Sequence, residues 1–166
     1  MKRNTLTITL VSLLLAGCGI YSFTGASIPN EAKTVSVENF TLTATNSPAS
    51  LKQIITEGLK DLFLSQTSLN LSESAGDLRF SGNITKYEVN PIAIQANETA
   101  GKNRLTINIK VMYNNTLDQK KNFELSFSRY RDFNSSENLS DIEAVLIEEI
   151  SKELLEDVFN KAFVNW

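Results

Sequence analysis

Three consecutive segments of this chain alternate apolar and polar residues with a period of two, and they sit between two segments whose apolar residues recur every three or four positions. Few folds accommodate that order. Residues 77–89 set Leu78, Phe80, Gly82 and Ile84 against Arg79, Ser81, Asn83 and Thr85. Residues 103–113 set Leu105, Ile107, Ile109 and Val111 against Thr106, Asn108 and Lys110, and residues 121–132 set Phe123, Leu125 and Phe127 against Glu124, Ser126 and Ser128. Each reads as a strand with one apolar face, separated from the next by Asn-, Gly- and Lys-rich turns. A shorter alternation over residues 33–40, carried by Val35 and Val37, reads as a first strand. Between it and the others, Asn46-Ser47-Pro48 opens a helix over 48–66, with Leu51, Ile54, Ile55, Leu59, Leu62 and Phe63 on one face. A long final helix spans about 139–164, with Ser140 and Glu143 as a capping box and Ile142, Leu146, Ile150, Leu154, Val158 and Ala162 along one stripe. The expected fold is α+β: a two-layer sandwich of two helices on one face of a mostly antiparallel four-stranded sheet.

The N-terminus points to export. Lys2 and Arg3 precede an apolar stretch over residues 4–17, too short to span a bilayer of about 30 Å. Leu15-Ala16-Gly17-Cys18 follows directly and has the residue types of a lipobox: small residues before the cut, then a thiol that can carry a diacylglyceryl thioether. Residues 1–17 are therefore read as a removed signal peptide, 18–32 as a lipidated tether and 33–166 as a single domain. Diacylglycerol on Cys18, with an N-acyl chain, exceeds the two-chain requirement for stable anchoring. Gly rather than Asp follows Cys18, which favours the outer membrane, and no acidic run follows it, which favours the periplasmic face.

The remaining chemistry is restricted. The chain has no histidine and one cysteine, so Ser-His-Asp and Cys-His schemes and the usual zinc ligand sets are ruled out, and no disulfide can form within the chain. A two-carboxylate glycosidase remains formally possible. The acids, however, gather on the final helix (Glu137, Asp141, Glu143, Glu148, Glu149, Glu153, Glu156 and Asp157), where they read as a solvated helix face. No catalytic residue, cofactor or metal is expected. The formal net charge of −3 falls to −5 once Lys2 and Arg3 leave, which argues against nucleic acid as a partner. Arg79, Lys86, Arg104, Lys110, Arg129 and Arg131 lie on or beside the strands and could form a cationic strip for anionic head groups, although exposed Lys and Arg also serve simply to keep sheets soluble. Tyr87, Tyr113 and Tyr130 could share that face.

Cys18-Gly19-Ile20-Tyr21-Ser22-Phe23-Thr24-Gly25, then Ile28-Pro29 and the strand from Lys33 to Val37, resembles the opening of the LptE family of lipopolysaccharide-assembly lipoproteins. The resemblance implies a non-enzymatic protein that plugs the LptD β-barrel of the outer membrane, binds lipopolysaccharide through basic residues near strand ends, and helps deliver it to the outer leaflet. Lys102, Arg104, Arg129 and Arg131 are the candidate lipopolysaccharide-binding residues, because a guanidinium can bind a phosphate in bidentate fashion. The alternative is a periplasmic lipoprotein that activates another envelope machine, such as a secretion channel or a cell-wall synthase. Under either reading Cys18→Ala is expected to release the protein from the membrane fraction and to abolish metabolic labelling with palmitate. Persistent labelling would place the lipid elsewhere.

Overall fold

The computed structural model describes residues 28–29, 31–92 and 101–164; the signal peptide, Cys18 and most of the tether lie outside them. Among the described residues no helix is long and apolar enough to cross a membrane. The chain runs β1 (Thr34–Val37), β2 (Thr41–Leu42), α1 (Leu51–Gln66), β3 (Asn70–Leu71), β4 (Leu78–Ile92), β5 (Lys102–Asn115), a short 3-10 turn (Gln119–Lys121), β6 (Phe123–Asn134) and α2 (Leu139–Phe163). The strands form one six-stranded sheet in the order β3-β1-β4-β5-β6, with β2 also against β4. Both helices pack on one face of it over a single hydrophobic core. The two-layer α+β sandwich read from the sequence is therefore the observed architecture, but the sheet is mixed and has more strands than expected.

The reason lies in the connections. β4, β5 and β6 are joined by turns and pair antiparallel, as period-two segments in series should. β1 reaches β4 only through α1, and a crossover of that length delivers a strand parallel to the first, so β1 pairs with Leu78–Phe80 in parallel register. The same geometry makes β3 parallel to β1 and β2 parallel to β4.

Two local irregularities decide which side chains enter the core. Along β1 and β2 the register passes from Val37↔Phe80 to Thr41↔Asn83, one more residue than on β4. The extra residue lets Phe40, 2% exposed, turn onto the sheet instead of pointing outward as a plain alternation over 33–40 requires. Gly82 makes the room: a Cβ there would lie 2.6 Å from the Phe40 ring and 2.5 Å from the Lys110 carbonyl oxygen. The Phe40 N–H donates to Thr56 Oγ1 at 3.0 Å, which ties this kink to α1. The second irregularity is a bulge in β4, where Ile84 pairs with Ile109 but Lys86 pairs with Asn108. It shifts the alternation by one, so Lys86 faces out and Tyr87 faces in. Tyr87 is thus a core residue, and so is Tyr113, which continues the inward alternation of Leu105, Ile107, Ile109 and Val111, contrary to the expectation that both share an exposed face with Tyr130.

The helix ends also differ from the sequence reading. α1 begins at Leu51 rather than 48; the Pro48 carbonyl accepts the Leu51 N–H at 3.1 Å in a preceding turn that also contains Asn46 at φ +59°, a conformation asparagine tolerates. In α2 the N-cap is Asn138, and no capping box forms between Ser140 and Glu143. Glu143 instead accepts the Tyr87 hydroxyl, which together with burial raises the Tyr87 pKa. The buried face of α2 is wider than one stripe. Ile147, Ser151, Leu155 and Phe159 join Leu146, Ile150, Leu154 and Val158 because α2 packs against α1 as well as the sheet.

The start of the sheet is held by Asp77. Its carboxylate accepts the Lys33 N–H (2.9 Å), the Thr34 N–H (3.0 Å) and the Thr34 hydroxyl (2.8 Å), while the Asp77 N–H donates back to Thr34 Oγ1. These donors hold the carboxyl below its usual pKa, the backbone N–H of Lys33 foremost. The core itself centres on aromatic rings. Phe80 lies 4.8 Å from Phe63 and 4.7 Å from Tyr113, and Phe163, 1% exposed, meets Phe63, Phe159 and Tyr113 edge-on. Phe163→Ala is expected to cost about 3–5 kcal/mol in urea unfolding. A loss under about 1 kcal/mol, the range of an ordinary surface change, would mean that the end of α2 does not anchor the core.

Candidate functional site

The bases singled out from the sequence divide between the two faces of the sheet. In β5 and β6 the outward positions are the even-numbered ones, and Arg104 stands directly opposite Asp132. Its Nε and Nη2 donate to the two carboxylate oxygens at 2.7 and 3.0 Å, and the guanidinium carbon lies 3.7 Å over the Tyr130 ring. This pairing raises the Arg104 pKa and lowers that of Asp132. Lys86 pairs with Glu88 and Lys110 with Glu124 on the same face, while Arg79 Nε donates to the Gly76 carbonyl. On the outer face Lys86, Arg104 and Lys110 are thus each matched by an acid and Arg79 is held by a carbonyl, so these bases do not form a bare cationic strip.

Arg129 and Arg131 sit at odd-numbered positions of β6, in phase with Phe127 and Phe133, and point to the helix side. Arg129 holds Asp157 with two contacts of 2.6 Å. Arg131 holds Glu149 at 2.8 Å and Glu153 at 2.6 and 3.2 Å, and it also donates to the Tyr130 carbonyl. Glu149, Glu153 and Asp157 are spaced by four and so fall in one row along α2. That part of the acidic face clamps β6 instead of being only solvated, which corrects the sequence reading. The signal was present: the apolar alternation of Phe123, Leu125 and Phe127, carried forward by two and four residues, lands on Arg129 and Arg131.

Lys102, at the first position of β5, is placed apart from this clamp. It lines a cleft of about 380 Å³ whose floor is Phe133, Ile142, Val145 and Leu146, with Asp132 and Glu137 at its polar margin. Lys102 and Arg104 thus share one end of the β5–β6 ladder, separate from Arg129 and Arg131. Sequence reasoning did not find the apolar floor, because it joins residues of β6 and α2 that alternation alone does not bring together. Among the described residues no group of three or more acids is placed to hold a metal ion.

The family model described as LptE, lipopolysaccharide-assembly, matches residues 32–162, most of the chain. The protein belongs to the lipopolysaccharide-assembly (LptE) family. This is a family of non-catalytic lipoproteins, and its role in lipopolysaccharide assembly extends to this member. No curated protein matches the sequence. Among solved structures, a minor lipoprotein from Acinetobacter baumannii is similar at a TM-score of 0.50 and 15% identity, over 78% of this chain and 91% of that one. A hypothetical protein from Chlamydia trachomatis is similar at a TM-score of 0.53 and 8% identity, over 81% and 99%. A putative neuraminyllactose-binding hemagglutinin homolog from Helicobacter pylori gives 0.52 and 10%, over 85% and 88%. At these identities the likeness is one of fold, and it covers helices and sheet together.

The carboxylates in these pairs titrate below their unfolded values: Asp132 through Arg104 and Glu153 through Arg131, as does Asp77 through the backbone at Lys33. For a depressed carboxyl the stabilisation is complete above the unfolded pKa and is lost as pH falls through the folded one. The thermal midpoint of the protein in detergent is therefore expected to drop between about pH 5 and pH 3. The drop should be shallower in Arg104→Gln/Arg131→Gln, since Asp132 and Glu153 then titrate nearer their unfolded values. Equal drops in both proteins would show that these pairs are too well solvated to couple to folding.

Proposed function

We propose that this protein is a lipid-anchored component of the outer membrane that occupies the lumen of an LptD-type β-barrel and helps deliver lipopolysaccharide to the outer leaflet. The observation that carries this reading is the family match across residues 32–162, joined to an outer sheet face made of matched ion pairs. The lumen of an outer-membrane barrel is polar, so such a face can lie against it without burying unpaired charge. The helices then keep the apolar core covered on the other side.

Within this reading Lys102 and Arg104 contact the lipopolysaccharide. The cleft beside Lys102 offers an apolar floor with Lys102, Asp132 and Glu137 at its margin, where an acyl chain would lie while Lys102 meets a phosphorylated head. Arg104 would exchange Asp132 for phosphate while keeping its stack on Tyr130. Arg129 and Arg131, each held by two carboxylates or more, serve chiefly to fix α2 on β6.

Affinity purification of the tagged full chain from detergent-solubilised outer membrane should recover a large β-barrel in about equal amount, and depletion should reduce lipopolysaccharide at the cell surface. Recovery of a secretion channel or cell-wall synthase in place of a barrel would favour the adaptor alternative. Lys102→Ala/Arg104→Ala is expected to lower lipopolysaccharide retention by the purified complex while leaving barrel recovery unchanged. Unaltered retention would remove these two residues from the binding site.

A further inference from the structure

The helix layer carries a crevice of about 430 Å³ between α1 and α2, lined among the described residues by helix residues alone. Its floor is Ile54, Gly58 and Leu62, a row four residues apart on α1, against Ser151 and Leu155 of α2. A Cβ at Gly58 would lie 2.7 Å from Leu155 Cδ1, so the helices meet closely where α1 has no side chain. Ile54 is 37% exposed and Leu62 half-buried, which leaves apolar surface open. Ser151 is buried, and its hydroxyl has no hydrogen-bond partner among the described residues, an uncommon state for a buried polar group. The rim carries Asp61, Glu148 and Glu156, with Lys152 as the one base lining it. Among the described residues these three acids enter no ion pair, whereas Glu149, Glu153 and Asp157 of the neighbouring row are held by Arg129 and Arg131. The crevice thus joins an apolar floor to an unmatched excess of carboxylate.

We propose that this crevice is a docking groove for a helical segment of another polypeptide that carries an apolar stripe flanked by Lys or Arg. Helix is specified by the walls. Their backbone groups are bonded within α1 and α2, so they offer no edge to an extended strand, while rows spaced by four accept the ridge of a third helix. Bases are specified by the rim, where three carboxylates stand against one ammonium. The same excess repels a phosphorylated amphiphile, so the groove is not a second version of the cleft at Lys102. A second copy of this chain fits less well, because neither of its helices has bases to spare. α1 sets Lys52 and Lys60 against Glu57 and Asp61, and in α2 Lys152 and Lys161 are outnumbered by acids. Docking two such grooves together would add their like charge and cancel none of the excess.

The test is photo-crosslinking in living cells, with the full chain carrying benzoylphenylalanine in place of Ile54 or Ser65, at the two ends of the groove, or of Gln119 as a control. Both groove positions should give an adduct that the control does not, and mass spectrometry of the attached peptide should show apolar residues at three- and four-residue spacing flanked by Lys or Arg. Glu148→Lys/Glu156→Lys should lower the adduct yield about tenfold, since two attractive rim contacts become repulsive. Glu148→Gln/Glu156→Gln, which keeps the shape and guards against misfolding of the lysine variant, should lower it less and leave the thermal midpoint unchanged. No adduct at either groove position, an attached segment without flanking bases, or a yield that ignores the charge reversal overturns the proposal. An adduct between two copies of this chain would replace the foreign helix with self-association. The outcome is separable from the barrel reading: a barrel that co-purifies without an adduct in the groove keeps the plug and rejects only the docked helix.

Discussion

Everything in this fold meets at one cluster of aromatic rings. Phe63 comes from α1, Phe80 from β4, Tyr113 from β5, Phe123 from β6, and Phe159 and Phe163 from the last turns of α2. Each ring brings a large apolar area into the same volume, and the tilted and edge-on contacts add to the energy of burial. The cluster lies at the end of the sheet where β1 joins β4, so it also fixes the crossover that makes that pair parallel. Burial pushes the Tyr113 hydroxyl pKa up to about 12, which suits a side chain enclosed on every side by rings and strands.

Charge then works around this apolar centre. Asp77 staples the start of β1 to the start of β4 through backbone donors, and the carbonyl of the same residue accepts from both the N–H and the hydroxyl of Thr116, just past β5. At the far side Arg129 and Arg131 clamp α2 along β6. These pairs are exposed and individually weak, but they lie in register with helix and strand periodicities, so they orient α2 where the apolar contacts alone would allow it to slide. The outer face uses the same device, across strands at Arg104 and Lys110 and along β4 at Lys86. Each of these bases meets an acid, so most of the charge on that face is paired.

The apolar periodicities named the helices and long strands to within a few residues, because burial of one face is the strongest demand a period-two or period-3.6 pattern can express. Two kinds of feature escaped that logic. The first is register: neither the extra residue before Phe40 nor the bulge before Lys86 changes composition, yet each moves a side chain from one face to the other. The second is which acids meet which bases. Alternation does place Arg129 and Arg131 on the helix side, but that Glu149, Glu153 and Asp157 lie above them depends on the angle and phase at which α2 crosses β6. The same dependence hid the apolar cleft beside Lys102.

By itself the sequence determined the class of the molecule: two helices and three long strands in fixed order, and side-chain chemistry without histidine. These follow from local pattern and from residue types, which no folding can change. Only the tertiary structure decided that β1 runs parallel to β4, that Tyr87 turns inward, and that Arg104, Arg129 and Arg131 are already paired with acids. Each of these depends on which distant segment lies alongside, and that is set by the shared burial of the aromatic rings and not by any stretch of sequence read alone.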